Sequence, residues 1–418
     1  MKVYKFGGAS VKDADGIRNL ASIVSEEKEN LVVVVSAFGK TTNALEKVLR
    51  AWMAGDAACN TLLEDVYLYH REVINELFEN SGGVIERTEV LFSRLREYLI
   101  SGKKGGYDFE YDQVVSFGEL WSTSIVAEYL KREFGSVGWI DIRGNLLTDD
   151  RYRDANILWY ESSLRINNII DFGKNRIYVT QGFIGGNVAG YTTTLGREGS
   201  DYTAAIMANI LGAEKVVVWK DVPGILNADP KWLPDAVKLD EISYTEAVEM
   251  TFSGAKIIHP KTIKPLHNRN IPLHVRSFLV PSDPGTIIKA DAELKTGMPV
   301  YIKKEEQMLI SISPKDFSFA MGDNLSRVFY FFKIHGIRVN LVDASAVKIN
   351  VCVDDERPKV DALINDLKAE FSAVYNEKTE MLSVRHYTLE AIERITARRE
   401  ILLEQRSRST VRFVVRQQ

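Results

Sequence analysis

The sequence predicts an α/β protein, a mostly parallel open sheet with helices on both faces, followed by a smaller ferredoxin-like domain. Three observations predict it. Near-continuous apolar runs such as "LVVVVS" and "KVVVWKDV" alternate with helical stretches through the first two-thirds of the chain, as strands buried on both faces do. Pro281, Pro284 and Gly285 then interrupt the pattern as turn residues. Beyond them the order becomes β-α-β-β-α with a closing strand, which is the ferredoxin-like order. At 418 residues the chain also exceeds what one hydrophobic core ordinarily supports.

In chain order, the first domain (residues 1–280) has strands at "KVYKF", "LVVVVS", "VGWIDI", "RIYVTQGFIG", "KVVVWKDV" and "IPLHVRS". Apolar residues at helical spacing place helices over 11–28, 56–99, 120–134, 201–211 and 244–253. A polar connector covers 281–307. The smaller domain (308–376) runs "MLISIS", a helix near 324–335, strands "IRVNLVDA" and "VKINVCV", a helix near 358–371 and a strand near "AVYNE". Residues 377–418 repeat only part of that order: "MLSVRHY", a helix over 389–405, then "TVRFVV".

Composition narrows the function classes. Hydrophobic residues make up 45% and charged residues 26%, the balance of a globular protein rather than a disordered one. A net charge of −4 is too small to imply a nucleic-acid or membrane partner. The Arg-rich segment "ITARREILLEQRSRSTVRFVVRQQ" is interleaved with Glu and apolar residues, so it reads as a solvated helix face. Cys59 and Cys352 match no metal or disulfide spacing, which points to structural thiols in a reducing compartment. No apolar run approaches the roughly 18 residues of a membrane span, and "MKVYKFGG" does not read as a signal peptide. A cytoplasmic location is the expectation.

Candidate chemistry gathers at strand ends, where open α/β sheets bind ligands. "KFGGAS" puts Lys5 at the end of the first strand beside Gly7 and Gly8, whose missing Cβ atoms allow backbone N–H groups to approach phosphate. The spacing is not that of a P-loop. "VVVVSAFGKTTN" brings Ser36, Thr41 and Thr42 to the second strand end, and "SFGELWS" sets Glu119 just inside a helix. "TTTLGREGSDYTAA" carries Arg197, Ser200 and Asp201 to a helix N-terminus, an anion-binding position, although Ser200 or Asp201 could equally be a simple N-cap. "WKDVPGILNADPK" adds Asp221 and Lys231, and "FSGAKIIHPKTI" adds Lys256. Each stretch alone has a structural reading of equal weight. His259 has no partner at metal spacing and reads as a packed or capping residue; no carboxylate cluster marks a protein-held metal.

Taken in order, these six motifs resemble those of aspartate kinase, and the likeness extends over essentially residues 2–280. The smaller domain resembles the ACT regulatory domain that follows that catalytic domain. The resemblance implies an amino-acid-kinase fold and the reaction of ATP with L-aspartate to give ADP and 4-phospho-L-aspartate, the first step toward lysine, threonine and methionine. It implies that Lys5 bridges the transferring phosphoryl group, with Gly7 and Gly8 against the phosphates and Asp201 positioning the lysine. Arg197 would grip the α-carboxylate, Glu119 the α-ammonium, and Ser36, Thr42 and Ser200 would add hydrogen bonds. Asp221, Lys231 and Lys256 would lie on the nucleotide side, with magnesium accompanying ATP.

Five positions depart from the family pattern. Ala9 stands where Thr is usual, and Lys220 and Leu226 stand where many relatives have Thr and Tyr. In the smaller domain Asn340, close to Ser345, replaces an Asp of lysine-sensitive relatives, and Ala346 replaces a Glu. Both changes remove carboxylates that could pair with a cationic effector, so weak or absent feedback by lysine is the expectation, with Asn340 and Ser345 as candidate regulatory residues. A homodimer or higher oligomer through the ACT-like region is the implied assembly. A sister kinase acting on glutamate, a carbamate or a nucleoside monophosphate, and a catalytically idle amino-acid sensor, are the competing readings.

Overall fold

The computed structural model describes residues 1–255, 257–292, 298–316 and 318–417. They form two compact units that interleave along the chain. One comprises Met1–Ile225, Leu239–Val248 and Ile258–Ala292; the other comprises Leu226–Lys238, Glu249–Ile257 and Glu293–Gln418.

The first unit opens with β1 (Lys2–Phe6), α1 (Ala14–Glu26), β2 (Leu31–Val35) and α2 (Thr41–Ala54). Helices α3 (Ala58–Leu77), α4 (Gly82–Ile100), α5 (Tyr107–Val115) and α6 (Phe117–Phe134) follow, then β3 (Val137–Ile140) and β4 (Leu147–Thr148). Next come α7 (Trp159–Ile169), β5 (Ile177–Gln181), β6 (Ile184–Asn187), β7 (Thr192–Thr194), α8 (Gly199–Leu211) and β8 (Val216–Lys220). Strand β9 (Glu241–Ser243), α9 (Tyr244–Phe252, whose residues from Glu249 on fall in the second unit), α10 (Pro260–His267), β10 (Leu273–Ser277) and β11 (Thr286–Lys289) complete it.

Eight of these strands make one sheet in the order β3-β5-β2-β1-β8-β10-β11-β9. Every neighbouring pair is parallel except β10 with β11. All five residues of β2 are fully buried, as are most of β1 and β8, because helices cover both faces of a parallel sheet. The apolar stripe of α1 (Ile17, Leu20, Ala21, Val24) packs into the same core as Val33, Val35 and Phe6. The chain leaves β1 toward β2 on one side and returns as β8 on the other, so the C-terminal ends of these three strands flank the crevice where such sheets bind ligands.

Several expected elements divide. The stretch 56–99 is two helices, α3 and α4, broken over residues 78–81, just before the glycine pair Gly82-Gly83 that opens α4. "RIYVTQGFIG" is two strands in different sheets: after β5 the backbone bends at Gly182 and at Phe183, which takes φ 69°, and β6 joins β4 and β7 in a three-stranded sheet. Helix α8 begins at Gly199, with Glu198 as N-cap at φ 54°. Ser200 and Asp201 therefore lie inside its first turn, and neither is the cap. Helix α10 starts with Pro260 at its first turn, and the His259 side chain caps it by accepting the Lys261 N–H, as expected for a proline-initiated helix.

The second unit adds β12 (Val300–Pro314), α11 (Asp323–Ile334), β13 (Val339–Ala344), β14 (Ile349–Asp354) and α12 (Lys359–Glu370), then β15 (Phe371–Arg385), α13 (Leu389–Thr396), β16 (Arg399–Arg406) and β17 (Thr410–Gln417). Its sheet is antiparallel, in the order β13-β14-β12-β15-β17-β16. The 15-residue strands β12 and β15 run through it as a pair; "AVYNE" and "MLSVRHY" are thus one strand. The helix expected over 389–405 stops at Thr396. Residues 399–406 instead form β16, a hairpin partner of β17, and Leu402 and Leu403 pack beside the small buried cluster of Leu309, Leu341, Cys352, Met381 and Val414. Arg and Glu mixed with leucines suit a helix as well as a half-exposed strand, and the tertiary partner decides.

Candidate active site

A cleft in the first unit holds about 540 Å³ and is lined from the ends of β1, β2 and β8, from α6, and from the loop joining β7 to α8. Its centre is a charge cluster. Lys5 Nζ lies 2.6 Å from Asp201 Oδ1, and Lys220 Nζ lies 3.5 Å from Asp201 Oδ2. The Asp201 side chain is 2% exposed. Burial pushes its carboxyl up, but the two ammonium groups outweigh that and hold it below the ordinary carboxylate value.

Gly8 closes one wall. A Cβ there would meet the Ala37 carbonyl oxygen at 2.6 Å and that of Gly39 at 2.9 Å, so only glycine fits between the first two strand ends. The Gly39 N–H donates to the Gly8 carbonyl at 2.9 Å, tying the two loops together. Gly7 faces Lys5, whose Nζ would stand 3.5 Å from its Cβ.

Another part of the lining is built for a different ligand group. Glu119, in the first turn of α6, is buried and accepts the Ala37 N–H through Oε1 at 3.3 Å. Its Oε2 is buried with no hydrogen-bond partner, and burial pushes the carboxyl up to about 8. An orphaned carboxylate oxygen at a cleft wall is costly unless a ligand completes it. Ser36 donates to Ser200 Oγ at 3.0 Å, and Thr42 lines the cleft beside them. Arg197 is exposed at the rim and makes no ion pair among the described residues.

The loop before α8 is held from behind. Glu198 Oε2 accepts the His259 N–H at 2.8 Å. Asp112, buried on α5, accepts the Thr194 N–H at 2.8 Å, its hydroxyl at 2.7 Å and the Arg153 N–H at 3.0 Å. Burial raises Asp112 to about 6. The helix-end anion site is smaller than the sequence suggested: the Gly199 N–H is taken by the Gly196 carbonyl and that of Asp201 by Glu198, which leaves Ser200's N–H without a carbonyl among the described residues.

Lys5, Gly8, Ser36, Thr42, Glu119, Arg197, Ser200 and Asp201 thus meet in one cleft. Asp221 follows Lys220 directly and is exposed. Lys231 belongs to the second unit, where its N–H donates to Asp229. Lys256 lies outside the described residues. Among the cleft residues that the sequence reading did not assign to the site are Lys220, Tyr111 and Arg153, the last at φ 67° with its guanidinium 4.4 Å over the Tyr111 ring. Of these three only Lys220 carried a signal, as a departure from the family motif. Among the described residues, no group of three His, Cys, Asp or Glu could hold a metal ion.

The two positions singled out for regulation lie in the second unit and differ from each other. Asn340 is buried: it accepts from Lys304 Nζ at 2.8 Å and donates to Gln307 at 2.8 Å and Asp354 at 3.0 Å. Lys304 also pairs with Asp354 at 2.7 Å. Ser345 is exposed in the turn between β13 and β14, its N–H on the Lys348 carbonyl.

Residues 1–277 match the amino acid kinase family. The chain is 33% identical over 367 residues to lysine-sensitive aspartokinase 3 of Escherichia coli, covering 84% of this chain and 78% of that one. It is 31% identical over 384 residues to bifunctional aspartokinase/homoserine dehydrogenase 2 of Arabidopsis thaliana, covering 88% of this chain but only 42% of that relative's length. Its fold superposes on the crystal structure of E. coli aspartokinase III in complex with aspartate and ADP with a TM-score of 0.84, at 27% identity over 100% of this chain and 96% of that one. The same enzyme in complex with lysine and aspartate gives 0.83. The chain belongs to the amino acid kinase family and, within it, to the aspartokinases.

Proposed function

We propose that the chain transfers the γ-phosphoryl group of ATP to the β-carboxylate of L-aspartate, giving ADP and 4-phospho-L-aspartate, the first step toward lysine, threonine and methionine. The observation that carries the reading is the pairing, in one cleft, of an unpartnered buried carboxylate oxygen on Glu119 with the Lys5–Asp201–Lys220 cluster. A free amino acid needs a carboxylate for its ammonium and a cation for its α-carboxylate; a polyphosphate needs cations of its own. Aspartate and ADP are bound by the E. coli relative of the same fold.

The chemistry follows from charge. The β-carboxylate must approach phosphate oxygens, and each unit-charge pair at 4 Å repels by about 4 kcal/mol at an effective dielectric near 20. Cations and oriented N–H groups offset that repulsion, and phosphoryl transfer asks for little more than positioning and charge stabilisation. The acceptor is ionised at neutral pH and needs no general base. In this reading Glu119 Oε2 receives the α-ammonium, Arg197 forks onto the α-carboxylate, and Ser36, Thr42 and Ser200 add hydrogen bonds. Lys5 bridges the transferring group while Asp201 fixes its ammonium. Gly7 and Gly8 let the backbone approach the phosphates, and Asp221, Lys231 and Lys256 serve the nucleotide side.

Magnesium bound with ATP supplies further neutralisation of phosphate charge. With Asp201 already engaged by two lysines, its ligands come chiefly from phosphate oxygens and water. Residues 308–376 and 377–418 serve as ACT-like regulatory and dimer-forming units. Two free, buried cysteines fit a cytoplasmic location, and no helix among the described residues is long and apolar enough to cross a membrane.

The test is ADP release from Mg-ATP with a panel of acceptors. Aspartate is expected to support turnover, with glutamate, carbamate and UMP near background. Turnover with one of the others in place of aspartate would move the chain to a sister kinase activity, and none with any acceptor would favour an amino-acid sensor.

A further inference from the structure

The Lys5–Asp201 pair explains one cation of the site, but the cleft holds a second on the same carboxylate. Strands β1 and β8 are parallel neighbours, with Lys5 opposite Val218 and Phe6 opposite Trp219. Side chains alternate along a strand, so Lys5, Val218 and Lys220 share one face, the face on which α8 presents Asp201. Lys220 stands two residues beyond the register partner of Lys5 and reaches the other carboxylate oxygen. One carboxylate thus meets two ammonium groups at the mouth of the strand ends.

The two lysines are not equivalent. The Lys5 side chain is 11% exposed and its Nζ sits 2.6 Å from Asp201, whereas the Lys220 side chain is 25% exposed at 3.5 Å. Lys220 is therefore the more open of the two, with an ammonium that carries three donors. The sheet order β2-β1-β8 also separates their surroundings. Ser36, and Glu119 through its bond to Ala37, belong to the β2 side; Lys220 and Asp221 belong to the β8 side, away from the groups that receive a free amino acid.

We propose that Lys220 is a second phosphate-binding cation of the transfer site: Asp201 orients its ammonium as it orients that of Lys5, and Lys220 donates to a phosphate oxygen of the nucleotide. A polyphosphate arriving in the cleft brings negative charge beside both ammonium groups. This rests on the phosphoryl-transfer reading above, and it identifies a determinant of nucleotide affinity at a position where many relatives have a threonine.

The test compares Lys220→Met, Lys220→Thr and Lys220→Arg with the unmodified protein, by initial rates with ATP and aspartate varied separately and by calorimetry with Mg-ADP. A charge-assisted hydrogen bond lost from the site corresponds to about a 10- to 100-fold change. The expected result is that Met and Thr lower kcat/KM for ATP and weaken ADP by about that factor, leave the aspartate KM within about twofold, and that Arg restores most of the loss. ADP affinity and kcat/KM for ATP unchanged in Met and Thr would overturn the proposal, as would a loss confined to the aspartate KM. If the unmodified protein turns over no aspartate, the functional reading fails, yet the ADP titrations of the same variants still decide whether Lys220 binds phosphate.

Discussion

At the scale of single residues, the site is a balance of buried charges, and each can be removed separately. Lys5→Met leaves Asp201 paired with Lys220 but withdraws the innermost cation; kcat is expected to fall by about 10²- to 10³-fold, the size of effect seen when a preorganised donor to developing charge is lost. Steady-state rates check this. Arg197→Lys keeps the charge but loses the fork, so the aspartate KM is expected to rise by about tenfold with kcat nearly kept. Glu119 yields a pH prediction. Its folded-state value is raised to about 8 by burial, so its contribution to stability is fully present below the unfolded value near 4.5 and is lost as pH rises toward 8. Glu119→Gln removes that titration. In thermal melts without ligand the variant is expected to gain on the unmodified protein steadily between about pH 5 and 8, while its aspartate affinity falls at every pH. Melting curves that run parallel across that range would contradict the raised value. Because an ammonium ligand favours the ionised form of Glu119, aspartate binding near pH 7 is also expected to release a proton, which calorimetry in buffers of different ionisation heat detects.

At the scale of elements, the site exists because strand ends, loops and helix starts converge, and the sequence was readable to the extent that this convergence is local. "KFGGAS" and "VVVVSAFGKTTN" announce strand ends by their apolar runs, and Lys5, Ser36 and Gly8 meet there as expected. Glu119, Arg197 and Asp201 were legible through motif resemblance, whereas Asp112 was not: it sits mid-helix with no pattern and pins β7 and Arg153 only through contacts far along the chain. The same limit explains the tail of the chain, where 399–406 becomes β16 because β17 offers it a partner. Lys220 was visible only as a departure from a motif, since nothing local tells that a strand-terminal lysine shares the face of Lys5. An element-scale prediction follows from Gly8. Gly8→Ala places its Cβ against two backbone carbonyl oxygens, which cannot move aside as a side chain could; a stability loss of about 1–3 kcal/mol is expected, with a larger proportional loss of activity because the first two strand-end loops are forced apart. Denaturant melts and rates on the same sample separate the two effects.

At the scale of the whole molecule, the first unit carries the cleft and the second carries an antiparallel sheet with its own cores. In the second unit Asn340 is engaged by Lys304, Gln307 and Asp354, so the ammonium nearest to it belongs to the protein itself. Weak or absent inhibition by lysine is therefore expected, and calorimetry showing tight lysine binding would remove that expectation. The central claim concerns the reaction, and the most direct measurement traps its product: incubation with Mg-ATP, L-aspartate and hydroxylamine, followed by identification of the hydroxamate by mass spectrometry. The account requires aspartyl β-hydroxamate in step with ADP release, abolished or nearly so in Lys5→Met. ADP released from Mg-ATP and aspartate without any hydroxamate would contradict it, because no acyl phosphate would have formed.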